Sequence, residues 1–164
     1  CLVLLTGLGQ EATAQNRVGQ FLKDTVRDVV SDPTTYAPAG VVWVGKQLDW
    51  NTSQIFFENG WVEANPDFTV SGRPFDKPVS YAVGNKKVVK LTIFTLGLSA
   101  LNNASVSILE RTTVHSFPKY RKLIKGFGWV EKVVVNGYIG HYLSHQNYAQ
   151  WQLNKRMALE QGFK

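Results

Sequence analysis

Sulfur and imidazole are scarce in this sequence. Its 164 residues include one cysteine, one methionine and three histidines. A lone cysteine at position 1 excludes an intrachain disulfide and leaves residues 2–164 without thiol chemistry. No internal repeat or low-complexity segment is present, and no initiator methionine opens the chain. Charge is also sparse. Asp, Glu, Lys and Arg together make up 18%, against 44% hydrophobic residues, which excludes a disordered chain and fits one globular domain with its own core. Acids are outnumbered, 12 to 18, for a formal charge of +6. That balance favours acidic partners such as lipid headgroups.

The first residues, "CLVLLTGLGQEATAQN", pair a short apolar run with small residues ending at Ala12-Thr13-Ala14. We read residues 1–14 as the remnant of a secretory signal with cleavage after Ala14. Cys1 then lies in the apolar signal core, the competing reading being a lipidated cysteine. A single helical domain would occupy residues 15–164, in a periplasmic or secreted setting with or without membrane association.

Periodicity predicts an all-α single bundle of about five helices with one long irregular loop. Val18, Phe21, Leu22, Thr25, Val26, Val29 and Val30 follow the helical repeat, ending at Ser31-Asp32-Pro33. A second helix starts near Pro38 and stops at Gly60. Residues 61–79 lose the period and hold Pro66, Gly72, Pro74 and Pro78, with "DFTVSG" as a strand-like fragment. A third helix covers about 82–110. A fourth runs from Pro118 to about Leu143, with Tyr120, Leu123, Phe127, Val130, Val134, Tyr138 and His141 on one face; Gly126 and Gly128 loosen its start. A last helix covers roughly 146–161. The third helix is long enough to cross a bilayer. Lys90, the Asp49 region and Glu131-Lys132 each count against spanning and favour a soluble or peripheral bundle, unless the polar faces pair inside it.

The stretch "LDWNTSQIFFENGWVEANP" concentrates polar groups among aromatics. Asp49 and Ser53 share a helix face, and a turn at Gly60 can bring Glu63 and Asn65 back toward them. Two carboxylates in different environments can split into an acid and a base, which gives a hydrolase-like alternative built on Asp49 and Glu63. Ser53 has no base placed to activate it, so a local network tying a helix end to a loop is the favoured reading. Asn102 and Asn103, on a helix lined with small residues, are expected to be buried, with Asp49 or Ser53 as partners. The full candidate polar site is therefore Asp49, Ser53, Glu63, Asn65, Asn102 and Asn103.

His141 and His145 have the four-residue spacing of zinc-binding helices, but Tyr142 stands where the zincin motif has Glu, and no third ligand is spaced with them. We expect no metal and no cofactor. Lys86, Lys87 and Lys90 crowd one helix start, and Lys119, Arg121, Lys122 and Lys125 another. Cations are unfavourable there, and an anionic neighbour such as an acidic lipid headgroup or a partner protein would offset that cost; the alternative is a solvated surface that keeps a basic protein soluble. In antiparallel helices the two clusters sit at opposite ends. Aromatics hardly interleave with these bases, which argues against nucleic acid. Two glycosylation sequons, at Asn51 and Asn103, fall inside predicted helices and are read as chance.

Asp49-Trp50, Ser53-Gln54, Phe56-Phe57, Asn59-Gly60, Glu63, Asn65-Pro66 and Thr69-Val70-Ser71-Gly72, with "KYRKLIKGFGWVEKV" and "QWQLNKRMALEQGFK", resemble an uncharacterised family of small exported bacterial proteins. Asp49, Ser53, Gly60, Glu63, Asn65 and Pro66 alone are similar to small integral-membrane proteins with a Gly-x-x-Glu-x-Asn-Pro turn after a helix. The first resemblance implies export and helical architecture; neither implies an activity or a cofactor. The expected function is a non-catalytic binding or scaffold protein of the bacterial envelope, the alternative a subunit embedded in or attached to a membrane complex.

Overall fold

The computed structural model describes residues 18–163; the expectations about a signal remnant, Cys1 and cleavage after Ala14 lie outside them. Among the described residues the protein is all-α, with no strand. Four helices carry the fold: α1 (18–31), α2 (Ala37–Glu58), α3 (Tyr81–Ser116) and α4 (Arg121–Gln161).

The expected five helices are four, because the last two are one. "SHQN" reads as a break only because it is polar. It contains neither Pro nor Gly, and its polar side chains bond back to their own helix: Ser144 Oγ donates to the Gly140 carbonyl at 2.7 Å, and Asn147 Nδ2 to that of Leu143 at 3.2 Å. Gly126 and Gly128 do not interrupt α4 either. Likewise α3 runs past residue 110 to Ser116 and stops where Pro118 forbids continuation. Helix α2 ends as its sequence dictates, at Asn59-Gly60, with Gly60 at φ 84°.

Cross-helix bonds fix the arrangement. Going down α3 from its start, Tyr81 meets Trp50, Asn85 meets Gln47, Asn103 meets Thr34 and Thr35, and Arg111 meets Asp28. So α1 and α2 form one rod, broken at Asp32–Tyr36 and antiparallel to α3. Helix α4 is antiparallel to α3, with Asn136 beside Asn103 and Lys132 beside Ser107, and parallel to α2, with Tyr148 on Val41 and Asn154 on Ser53. Three rods result. We call the end bearing the α2–α3 loop upper and the end bearing the α3–α4 turn lower.

The break in the first rod leaves no loose carbonyls where it bends. Thr35 Oγ1 donates to the Val29 carbonyl at 2.7 Å and Tyr36 Oη to that of Val30 at 2.9 Å. The upper end has an aromatic floor of Trp50, Phe68 and Val88, with Phe57 and Val79 packed on it. Gly84 is required there: a Cβ at that position would lie 2.1 Å from the Trp50 ring. In the same way Gly140 lets α4 approach the rod break, since a Cβ there would stand 3.1 Å from Pro38 Cα. Residues 61–79 form no strand. A single 3₁₀ turn, Pro66–Phe68, and two isolated antiparallel bridges, Glu63 with Asp76 and Thr69 with Pro78, hold the loop over the floor.

Polarity is inverted relative to a water-soluble bundle. On α4 the buried positions step by four, through Gly128, Lys132, Asn136, Gly140 and Ser144. Every exposed position between Gly126 and Gly140 is apolar, aromatic or glycine. On α3 the buried positions Thr95, Ser99, Asn103 and Ser107 repeat the pattern, while Ile93, Phe94 and Leu101 are exposed at 57–67%. Helix α1 turns Asp24 and Asp28 inward to Arg111 and leaves Leu22, Val26 and Val30 outside.

Candidate functional site

The six candidate residues fall into two places. Asn102 and Asn103 belong to a layer at the rod break. Asn103 Nδ2 donates to Thr35 Oγ1 at 2.7 Å and Thr34 Oγ1 at 2.9 Å, and its Oδ1 accepts from Asn136 Nδ2 at 2.8 Å. Asn102 Nδ2 lies 3.4 Å from Asn136 Oδ1. Just below, Lys132 Nζ sits 3.3 Å from both Asp32 Oδ2 and Ser107 Oγ. Asp49 and Ser53 are not the partners of the asparagine pair, because they lie about four and about five turns further along the first rod than Thr35.

Asp49, Ser53, Glu63 and Asn65 instead line one cleft of about 880 Å³ at the upper end, with Lys46, Asn147, Gln150 and Asn154. Helix α2 presents Lys46, Asp49 and Ser53 within two turns, and the turn after Gly60 returns Glu63. Asn154 Nδ2 is 3.1 Å from Ser53 Oγ and 3.4 Å from Asp49 Oδ1. Glu63 Oε1 accepts the Asn65 backbone N–H at 2.7 Å, and Asn65 Oδ1 accepts that of Asp67 at 3.0 Å, so these two side chains also hold the loop's shape. Sequence reasoning missed Asn147, Gln150 and Asn154. Their spacing of three and four on one helix face was the available signal.

Burial in this cleft works against ionised carboxylates. It pushes Asp49 up from 3.8 to about 6; the charge of Glu63 adds to the rise and Lys46 opposes it. Glu63 is also raised, mainly by burial, against the pull of the Asn65 and Ala64 amides. Lys46 lies 5.8 Å above the Phe68 ring. Phe75 lines the same cleft with a strained φ of 58° and 74% of its surface exposed. Among the described residues the cleft is lined by no histidine and no cysteine, so neither stands beside Ser53 as a base. The chemistry available is binding of charged and hydrogen-bonding groups, and proton exchange on two carboxyls.

The remaining candidates lie elsewhere. His145 Nδ1 is 3.2 and 3.1 Å from the carbonyls of His141 and Tyr142, which can only accept, so that nitrogen donates to its own helix. The two rings stack at 5.2 Å beside a groove between α2 and α4. Among the described residues no three His, Cys, Asp or Glu side chains gather as metal ligands. Lys86, Lys87 and Lys90 lie in the first turns of α3, where Lys87 Nζ donates to the Asp67 carbonyl of the α2–α3 loop. Lys119, Arg121, Lys122 and Lys125 are exposed at the far end of α3. The length of α3 from Lys90 to Ser116, about 39 Å at roughly 1.5 Å per residue, separates the two basic groups. No protein-family model, no curated protein and no solved structure matches the chain.

Proposed function

We propose that the chain is a membrane-embedded bundle that binds, rather than transforms, a ligand at its upper cleft. The observation that carries this reading is the inverted polarity. Residues 91–109 of α3 meet the bilayer side of the bundle with Ile93, Phe94 and Leu101, while only 28% of the helix's apolar window is buried. A soluble core helix would hide that surface. Nineteen residues rise about 28 Å, close to the roughly 30 Å of a hydrocarbon core. The matching stretches are about 28–44 of the first rod and 130–147 of α4. Trp43 and Lys90 stand at the upper margin, and Trp129 and Lys125 at the lower, as interfacial anchors do.

Most of the charges that argued against spanning have a place in this arrangement; Glu131, at the lower margin of the belt, keeps a buried Oε2 without a hydrogen-bond partner among the described residues. Lys132 pairs with Asp32 inside the bundle. Lys46, Asp49 and Lys90 lie above the belt. Small and hydroxyl side chains at four-residue spacing are the packing surface of membrane helices. The similarity to integral-membrane proteins with a Gly-x-x-Glu-x-Asn-Pro turn points the same way. The basic ends then contact lipid headgroups on both faces, and the bundle is a binding or scaffold subunit of the envelope.

After expression of the full chain, alkaline carbonate should leave it in the membrane pellet and a mild detergent should release it. Recovery in the carbonate supernatant would overturn the proposal. In a Cys1→Ser background, a cysteine at Leu101 should react with a water-soluble maleimide only after detergent is added, and one at Lys122 at once.

A second reading draws on Asp49 and Glu63, whose raised affinity for protons in a cleft is what acid–base catalysis requires. It predicts a turnover lost in Asp49→Asn at unchanged melting temperature.

A further inference from the structure

We infer that the upper cleft holds a phospholipid headgroup carrying a primary ammonium beside a phosphate, the phosphoethanolamine type. This rests on the membrane reading above. Depth is the first argument. The exposed apolar run of α2 ends at Val44 and Lys46 follows two residues later; on α4 the residues that line the cleft begin at Gln146 and Asn147. The cleft therefore begins where the apolar belt ends, at the height of lipid headgroups.

Charge is the second argument. Asp49 and Glu63 face Lys46 in one cleft, so it offers both signs at short range. Two carboxylates repel a headgroup that is only anionic. Lys46 repels a simple cation. A zwitterion satisfies both, its ammonium on Asp49 and Glu63 and its phosphate on Lys46 with the amides of Asn147, Gln150 and Asn154 as donors. Hydrogen bonding is the third. The carboxylate and amide oxygens accept N–H bonds, which a primary ammonium supplies and a quaternary one cannot. Trp61 and Phe75 give the cleft an exposed aromatic wall for the carbon chain between the two charges.

The test uses the full chain in neutral micelles doped separately with dioleoyl phosphatidylethanolamine, phosphatidylcholine or phosphatidylglycerol, read by melting temperature and by lipid retention in native mass spectrometry. Phosphatidylethanolamine should be retained and should raise the melting temperature above either other lipid. Asp49→Asn and Glu63→Gln should each weaken retention about tenfold, the loss of one charge-assisted hydrogen bond. Lys46→Met reads the phosphate side independently if a carboxylate variant fails to fold. Equal retention of phosphatidylglycerol or phosphatidylcholine overturns the proposal, as does wild-type retention in both Asp49→Asn and Lys46→Met. If the chain proves extractable by carbonate, the membrane reading fails on its own. Recognition of the ammonium–phosphate pair then stands only if free phosphoethanolamine binds and Asp49→Asn abolishes it.

Discussion

At the lower end of the bundle Asp32 meets Lys132, and Asp24 and Asp28 meet Arg111; at the upper end Asp49 and Glu63 share a cleft with a single lysine. Both ends bury acids, and they handle them differently. Below, Asp32 pairs with Lys132 while Asp24 and Asp28 share Arg111, and these pairs hold the rods together. Above, the acids are left short of counter-charge, and burial raises their proton affinity instead.

The comparison breaks most sharply at Lys132. Replacing it with Ala strands Asp32 inside the bundle and should cost about 3–5 kcal/mol, measured by chemical or thermal unfolding in micelles. The double variant Asp32→Asn with Lys132→Met should recover most of that loss. A single variant with wild-type stability would mean that the lower pair is not a joint at all.

Gly84→Ala tests the upper end for rigidity. Its new methyl meets the Trp50 ring, and overpacking of this kind should cost about 1–3 kcal/mol in the melting experiment. A negligible change would show a soft floor beneath the cleft.

Asp49→Asn has the smallest expected effect, and it depends on pH. The folded chain binds this proton more tightly than the unfolded chain does. Stability should therefore fall as pH rises from the ordinary carboxylate value of 3.8 through about 6, and level off above that. In Asp49→Asn this part of the fall disappears, and at neutral pH the variant should be at least as stable as the parent. Melting temperatures across that pH window decide it. An unaltered profile would place the titration elsewhere.

Much of the fold was legible. Pro38, Gly60 and Pro118 mark boundaries that physical chemistry enforces, and residues 61–79 have too many prolines for a helix. The inversion was not legible. Leu123, Phe127, Val130, Val134 and Tyr138 do share one face of α4, and every one of them is exposed; Tyr120 precedes the helix, in the 3₁₀ turn Pro118–Tyr120. Periodicity finds a stripe; it does not say whether the stripe faces protein or solvent. The same ambiguity produced the false break at "SHQN", where polar residues on the inward stripe mimicked a loop. Asp49 and Glu63 could be placed together because they flank one turn. The partners of Asn103 could not, since Thr34, Thr35 and Asn136 come from two other segments, 33 to 69 residues away in sequence.

The rod order has a consequence for sidedness. The described chain runs up through α1 and α2, down α3 and up α4, so on the proposed membrane reading it would cross three times. In a bilayer its two lysine groups therefore face different compartments, and they cannot act on one ligand whatever their combined charge. The cleft and the loop above it open to one compartment only. On the proposed membrane reading such a molecule would be vectorial: its cleft would sample the lipid of a single leaflet, and its opposite end would anchor it.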